Sequence, residues 1–302
     1  MHPKVKKHLA RVLHHLYINP LEKCNLRCKI CYTKKTSPVL DESQILSFID
    51  SYQKHTRLDT VTFCGGEVFT LPYFPHLVNF LNSQSIFIQI ITNGTIDKLD
   101  QFENPNSINL IVSIDGDKND HDGNRGEGNF DKSISFLQKA YILGFHSEIF
   151  SVITQKNFNK IDAFETLLET LLKRKIKVTY HPRKPPSYLL HHPASNIFGQ
   201  LNSFGFLDQD QMIEIIQKRN VFPPKGLGCY QIALVSNGDV YGCCEGTVPL
   251  GNISDDIQTL IDRLYQRLEI WEKTNTLKNC LGCSQPEFMC GIKKYLLYID
   301  SI

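Results

Sequence analysis

Short apolar segments alternate with segments of helical periodicity along the first 181 residues of the chain. The apolar segments predict strands over residues 16–18, 60–63, 87–92, 109–114, 148–153 and 177–180. Apolar residues spaced three or four apart predict helices over residues 41–54, 74–83, 96–102, 130–143 and 161–174. Asp41, with Gln44 after it, predicts a capped start for the first helix, and Gly144 predicts the end of the fourth. Strands that alternate with helices favour a parallel sheet with right-handed crossovers, either a partial barrel or a doubly wound sheet.

Polar and glycine-rich motifs follow the ends of the first four predicted strands. In chain order they are Cys24 to Cys31, Gly65-Gly66-Glu67, Asn93-Gly94 and Asp115-Gly116. Loops at the C-terminal ends of parallel strands are where α/β folds place their active sites. We therefore expect these motifs to converge on one site.

The C-terminal part of the chain has a different composition. Residues 182–206 are rich in Pro, His, Ser and Asn and predict a linker or lid, and residues 208–219 predict a short helix. Ser236-Asn237-Gly238-Asp239 predicts a hairpin turn, and six cysteines follow residue 228. We predict an α/β domain over residues 1–206 and a small cysteine-rich α+β extension over residues 207–302.

Composition and charge narrow the possible partners and compartment. Lys and Arg total 33 against 31 Asp and Glu, so a formal charge of +2 gives no general field that attracts nucleic acid or a membrane. No apolar stretch approaches the roughly 20 residues of a membrane span, and the N-terminus lacks the apolar region of a signal peptide. We therefore expect a cytoplasmic protein. In that compartment metal binding explains the ten cysteines better than a disulfide framework does.

The first cysteine group has the spacing C-x3-C-x2-C, formed by Cys24, Cys28 and Cys31. Three thiolates can hold three irons of a [4Fe-4S] cluster, whereas full ligation needs four. The remaining iron would keep an open position for a substrate or cofactor, as catalytic metal sites do. A zinc site or three unrelated cysteines are the alternatives.

This group, with the aromatic Tyr32 directly after its third cysteine, resembles the cluster motif of the radical S-adenosylmethionine (SAM) superfamily. The resemblance implies a partial (β/α)6 TIM-like barrel in which SAM chelates the open iron. It also implies that an electron passed through the cluster cleaves SAM to methionine and a 5'-deoxyadenosyl radical. In such an enzyme the cofactor carries the radical chemistry, and the protein orients it, supplies electrons and excludes water.

Further motifs extend the resemblance and imply a set of SAM-binding residues. The glycine-glutamate motif looks like the one that receives the SAM amino group, and the segment at Asp115 like the one that supplies hydroxyl and carboxylate partners. His121-Asp122-x-x-Arg125-Gly126 resembles a signature in which the arginine pairs with the SAM carboxylate. Asn93 either contacts the ligand or forms the turn. The implied cofactor-binding residues are Tyr32, Gly65, Gly66, Glu67, Asn93, Ser113, Asp115 and Arg125.

The C-terminal cysteines resemble the SPASM or twitch extension of radical SAM enzymes. The resemblance implies auxiliary metal ligands at Cys229, Cys243, Cys280, Cys283 and Cys290. The six cysteines after residue 228 are too few to ligate two [4Fe-4S] clusters fully, so we expect one auxiliary iron-sulfur cluster. The twitch pattern would use Cys229, Cys243, Cys280 and Cys283, and Cys290 or Cys244 could substitute for one of them. A four-cysteine zinc knuckle is the alternative.

The resemblance implies an oxidoreductase or maturase that abstracts hydrogen from a peptide or protein side chain, with flavodoxin or ferredoxin as electron donor. Tyr180, at the end of the sixth predicted strand, is a candidate pocket residue, and Glu245 is a candidate base. The same chemistry on a tetrapyrrole, nucleoside or sugar is the first alternative. A non-enzymatic iron-sulfur or zinc scaffold is the second.

Overall fold

The computed structural model describes residues 3–31, 33, 35–183, 204–219, 230–243 and 248–274. The chain divides into two compact units. The first unit comprises Met1–Lys23, Lys35–Gln89 and Pro223–Ile302, and the second comprises Cys24–Lys34 and Ile90–Phe222. Within the described ranges, no helix is long and apolar enough to cross a membrane.

Helices and strands alternate along most of the described chain. The helices are α1 (Pro3–Val12), α2 (Glu42–Gln53), α3 (Phe74–Ser83), α4 (Lys118–Arg125), α5 (Asn129–Ile142), α6 (Ile161–Leu172), α7 (Gln209–Lys218) and α8 (Ile257–Thr274). The strands are β1 (His15–Asn19), β2 (Thr60–Phe63), β3 (Phe87–Thr92), β4 (Ile108–Ser113), β5 (His146–Ile153), β6 (Val178–Pro182), β7 (Tyr230–Val235), β8 (Asp239–Cys243) and β9 (Gly251–Asn252).

The first unit is built around β1, which has parallel neighbours on both sides. Tyr17 pairs with Thr62 of β2 on one side and with Ala233 of β7 on the other. Leu16 and Ile18, which lie on the same face of β1, are fully buried, whereas His15, Tyr17 and Asn19 on the other face are partly buried. β7 continues into the antiparallel strands β8 and β9. The hairpin predicted at residues 236–239 is thereby confirmed.

The second unit contains the parallel strands β4, β5 and β6, joined by α4, α5 and α6. In β4 the residues Ile108, Leu110 and Val112 are fully buried. Gly144, which follows the C-cap residue Leu143 of α5, has a positive φ of 88°, a conformation that ends a helix and that glycine adopts without strain. In neither unit do the described strands close on themselves. The mixed α/β class with a parallel sheet is confirmed.

Local sequence signals account for several elements. Asp41 caps α2 by accepting from the Gln44 amide at 2.8 Å, and the Gln44 side chain accepts from the Asp41 amide at 2.9 Å, as predicted. The helix predicted over 96–102 is wrong, because only a 3-10 turn forms at Leu99–Gln101. The Asp97 carboxylate accepts from the Leu99 amide at 3.1 Å, a local bond that competes with helix formation.

The two ends of the described chain add elements that the sequence pattern did not predict. The basic N-terminal segment forms α1 and buries Leu9 and Val12. The sequence pattern did not predict α8 either, and α8 packs against α1. The predicted linker or lid lies for the most part outside the described residues. The domain boundary after residue 206 stays a prediction.

Candidate active site

Cys24, Cys28 and Cys31 lie in the loop that follows β1 in sequence. All three thiols are free and partly exposed. The Cys31 amide donates to the Cys28 carbonyl at 3.2 Å, so the last two cysteines flank a tight turn. The Leu26 amide donates to the Cys24 sulfur at 3.3 Å. Three free thiols within eight residues are a donor set that fits an iron-sulfur cluster.

Burial, the Asp115–Arg125 ion pair and the neighbouring thiols all act on the pKa of the Cys28 thiol. Burial raises the pKa of the Cys28 thiol, the Arg125 guanidinium opposes that shift, and Cys24 and Cys31 add to it. Among the described residues, no three His, Cys, Asp or Glu side chains are grouped to chelate a single metal ion. In a [4Fe-4S] cluster, by contrast, each cysteine thiolate binds a different iron atom.

The glycine pair after β2 allows a very close approach of two backbone segments. A Cβ atom on Gly65 would lie 2.2 Å from the Leu21 carbonyl oxygen, and one on Gly66 would lie 1.9 Å from that of Lys23. The Gly66 amide donates to Leu21 at 2.8 Å and the Glu67 amide to Lys23 at 3.1 Å. Only glycine fits at these positions. The pair thus fixes the backbone immediately before the first cysteine.

Glu67, the third residue of this motif, is buried with 1% of its surface exposed. Its carboxylate accepts from the Phe69 amide at 3.2 Å and caps the 3-10 turn Val68–Thr70. The structure therefore gives Glu67 a capping contact. Its predicted SAM-binding role stays a prediction.

Asn93 both forms the turn after β3 and contacts the cysteine loop. Its Oδ1 accepts from the Thr95 amide at 2.9 Å, and its Nδ2 donates to Asn25 Oδ1 at 2.9 Å. The same Nδ2 lies 3.8 Å from the Cys24 sulfur. Of the two roles left open by the sequence, the turn is formed, and the amide also holds the beginning of the loop.

A buried ion pair lies at the end of β4. The Arg125 Nε donates to Asp115 Oδ2 at 2.6 Å and its Nη2 donates to Oδ1 at 3.1 Å. The Val152 amide adds a bond to Oδ1 at 3.0 Å. Burial alone would raise the pKa of Asp115, but the Arg125 guanidinium, with its hydrogen bonds, lowers that pKa overall. Both groups are therefore charged. Ser113, the last residue of β4, is partly buried.

Arg125 is held as a cation next to the thiols. Burial alone would lower the pKa of its guanidinium, but Asp115 and then Cys28 raise it. Its side chain is 12% exposed. The Arg125 guanidinium thus donates two hydrogen bonds to the Asp115 carboxylate. Its predicted pairing with the SAM carboxylate stays a prediction.

Asn124 is a site residue that sequence reasoning missed. It is 2% exposed, and its side chain contacts both the cysteine loop, at the Ile30 amide, and Asp115. It stands next to Arg125 in the sequence, but nothing in its spacing distinguishes it from a surface asparagine.

Some predicted site residues are not part of this group. Tyr180 is 1% exposed, and its hydroxyl donates to Glu165 of α6 at 2.6 Å. Burial raises the pKa of Tyr180, and Glu165 adds to that shift. Cys243 is buried at the end of β8. The remaining predicted residues lie outside the described ranges: Tyr32, Cys229, Glu245, Cys280, Cys283 and Cys290.

Comparisons with solved structures show the same fold. The chain is similar to native anSMEcpe with bound AdoMet, with a TM-score of 0.63 and 18% identity, over 83% of this chain and 82% of that one. It is also similar to Streptococcus suis SuiB bound to precursor peptide SuiA, with a TM-score of 0.59 and 16% identity. That match covers 86% of this chain and 68% of the other.

Two curated relatives match about half of the chain. The sporulation killing factor maturation protein SkfB of Bacillus subtilis (strain 168) is 26% identical over 145 residues, 46% of this chain and 35% of SkfB. The S-adenosylmethionine-dependent nucleotide dehydratase of Flammeovirga pacifica is 25% identical over 155 residues, 46% of this chain and 53% of the dehydratase. The chain therefore spans about a third to a half of these relatives.

A family model decides the assignment. It is the model of the radical SAM superfamily, and it matches residues 18–171, just over half of the chain. The matched range contains the cysteine loop, the glycine pair and the Asp115–Arg125 ion pair. The chain belongs to the radical SAM superfamily of enzymes.

Proposed function

We propose that this chain is a radical SAM oxidoreductase of the maturase type, which abstracts a hydrogen atom from a side chain of a peptide or protein. When bound, the [4Fe-4S] cluster and SAM supply the 5'-deoxyadenosyl radical for that abstraction. One observation carries the proposal. The loop that carries the three cysteines is hydrogen-bonded through Asn124 to Asp115, whose carboxylate forms a buried ion pair with Arg125.

Each part of the group has a role that its chemistry supports. The thiolates of Cys24, Cys28 and Cys31 would hold the irons. The fixed positive charge of Arg125 would favour an anionic ligand nearby, such as the SAM carboxylate. Gly65 and Gly66 would keep the backbone before Cys24 in place.

The names of the relatives support a peptide substrate. SkfB is called a maturation protein, and SuiB and anSMEcpe have structures with a precursor peptide and with the Cp18Cys peptide. A nucleotide or nucleoside is the second candidate substrate, because a nucleotide dehydratase is among the relatives. In both cases flavodoxin or ferredoxin would supply electrons in the cytoplasm.

We further propose that residues 207–302 form a SPASM- or twitch-type extension with one auxiliary iron-sulfur cluster. Cys243 would be one ligand. It is buried at the end of β8, so its thiol could bind a metal shielded from water. The other three proposed ligands are Cys229, Cys280 and Cys283, and Cys290 could substitute for one of them.

The experiment is anaerobic reconstitution with iron and sulfide, followed by dithionite and SAM. We expect 5'-deoxyadenosine and methionine from the wild-type chain, and none from a variant with Cys24, Cys28 and Cys31 all changed to Ala. Mass spectrometry of candidate peptides and of nucleotides after turnover then separates the two substrate classes. A chain with full cluster content that makes no 5'-deoxyadenosine would disprove the proposal.

A further inference from the structure

Asn124, near the end of α4, makes three hydrogen bonds to two separate parts of the site. Its backbone carbonyl accepts from the Lys29 amide at 3.0 Å, and its side-chain Oδ1 accepts from the Ile30 amide at 3.1 Å. Its Nδ2 donates to Asp115 Oδ2 at 2.8 Å. Both ends of one buried amide are thus used.

The two bonds to the loop fall between the second and third cysteines. Lys29 and Ile30 are the two residues between Cys28 and Cys31. Their backbone amides both point to Asn124, so the turn that separates the two thiols is held by α4. Ile30 is buried, whereas Lys29 is exposed. The side-chain bond from Asn124 therefore holds the inner half of this turn.

The third bond connects the turn to the ion pair. Asp115 Oδ2, the oxygen that accepts from Asn124, also accepts from Arg125 Nε at 2.6 Å. A displacement of the Asn124 amide would therefore change the turn and the carboxylate together. Outer contacts of this kind orient ligands at metal sites, and their loss typically lowers metal affinity or activity by roughly 10- to 100-fold.

We infer that Asn124 is a positioning residue. It fixes the spacing of the Cys28 and Cys31 thiols and holds the Asp115–Arg125 pair at a fixed position relative to them. The inference rests on the proposed function, because it assigns Asn124 to the cluster and SAM site of that function. Asn124 would contact neither the cluster nor SAM directly.

The first test uses the chain without a cluster. Arg27 and Lys29 are exposed, so trypsin can report on the loop. Asn124→Leu keeps the size of the side chain and removes both of its bonds. We expect trypsin to cleave this variant after Arg27 and Lys29 at least several-fold faster than the wild type. The matched control is Asn82→Ala, which removes another buried asparagine whose Nδ2 donates to the Ile86 carbonyl at 2.8 Å.

The second test uses the reconstituted chain. Asn124→Leu should bind SAM roughly 10- to 100-fold more weakly than the wild type. The electron paramagnetic resonance spectrum of its reduced cluster should differ in shape from the wild-type spectrum, both without SAM and in its change on SAM addition. Asn82→Ala should give the wild-type spectrum both without and with SAM. If Asn124→Leu does not fold, Asn124→Ser removes the same two bonds with a smaller side chain.

The outcomes separate this inference from the proposed function. A wild-type chain that loads no cluster or binds no SAM contradicts the proposed function. A wild-type chain that does both, with an Asn124 variant that matches Asn82→Ala in proteolysis, SAM affinity and spectrum, overturns the positioning role alone.

Discussion

Arg125 and Asp115 meet through two parallel hydrogen bonds, from Nε to Oδ2 and from Nη2 to Oδ1, with the carboxylate side chain only 3% exposed. Such a pair is costly to break, because removing one partner leaves the other charge buried without compensation.

The first prediction follows from this pair. Asp115→Ala should lower the free energy of unfolding by about 3–5 kcal/mol, because the Arg125 guanidinium would stay buried without its carboxylate. Urea denaturation followed by circular dichroism measures the change. The control is Asp131→Ala, which breaks the exposed pair of Lys118 and Asp131 and should cost no more than about 1 kcal/mol. Equal losses in the two variants would contradict the assignment of Asp115–Arg125 as a buried pair.

The second prediction concerns the thiols. Cys28→Ala should abolish stable cluster assembly, because two thiolates cannot hold the cube that three hold. Iron and acid-labile sulfide per chain measure the loss after anaerobic reconstitution. Cys64→Ala is the control, since Cys64 is a buried residue at the end of β2 and should leave the iron content unchanged. A Cys28→Ala chain with wild-type iron content would count against the C-x3-C-x2-C loop as the cluster site.

The third prediction concerns the glycine pair. Gly66→Ala should lower the free energy of unfolding by about 1–3 kcal/mol or more, because its Cβ would lie 1.9 Å from the rigid Lys23 carbonyl. The control, Gly123→Ala, lies within α4, and its Cβ would meet only the Lys156 Nζ atom at 3.5 Å. There alanine should be neutral or stabilise the helix by up to about 1 kcal/mol. Urea midpoints compare the two, and a Gly66→Ala chain as stable as the wild type would refute the close approach.

The fourth prediction concerns pH. Burial lowers the pKa of His15 to about 4, and a hydrogen bond of 2.7 Å joins the His15 Nε2 and the Thr62 hydroxyl. The unfolded chain binds a proton on His15 near pH 6.5, whereas the folded chain binds it only near pH 4. The contribution of neutral His15 to the free energy of unfolding is therefore complete above pH 6.5 and is lost as the pH falls towards 4. His15→Gln should reduce this loss. Urea titrations at pH 8, 6 and 4.5 measure it, and identical slopes in both proteins would show that His15 is not responsible.

Elements with local signals could be predicted from the sequence. The capping box at Asp41 and Gln44 lies within four residues and correctly placed the start of α2. The strands over 60–63 and 87–92 match β2 and β3, because both segments are short and a glycine-containing turn follows each, at Gly65 and at Gly94. The cysteine loop was found because its spacing alone limits the chemistry.

Elements that depend on distant contacts could not be predicted. α4 has a polar sequence without an apolar face, and its end is held by bonds from Asn124 and Arg125 to Asp115. The role of Asp115 as the partner of Arg125 depends on how α4 folds back, which no periodicity encodes. Tyr180 was expected to face a pocket, but its hydroxyl contacts Glu165 of α6, because alternate residues of a strand face opposite sides.

The parallel pairing of β1 with both β2 and β7 has a consequence for biosynthesis. Tyr17 and its partner Thr62 leave the ribosome early, but the other partner, Ala233, is made much later. Until then one side of β1 exposes unpaired amides and carbonyls, which other chains can recruit. A nascent or truncated chain that stops before Val235 should therefore depend on chaperones and aggregate readily, even though its cysteine loop has already been synthesised.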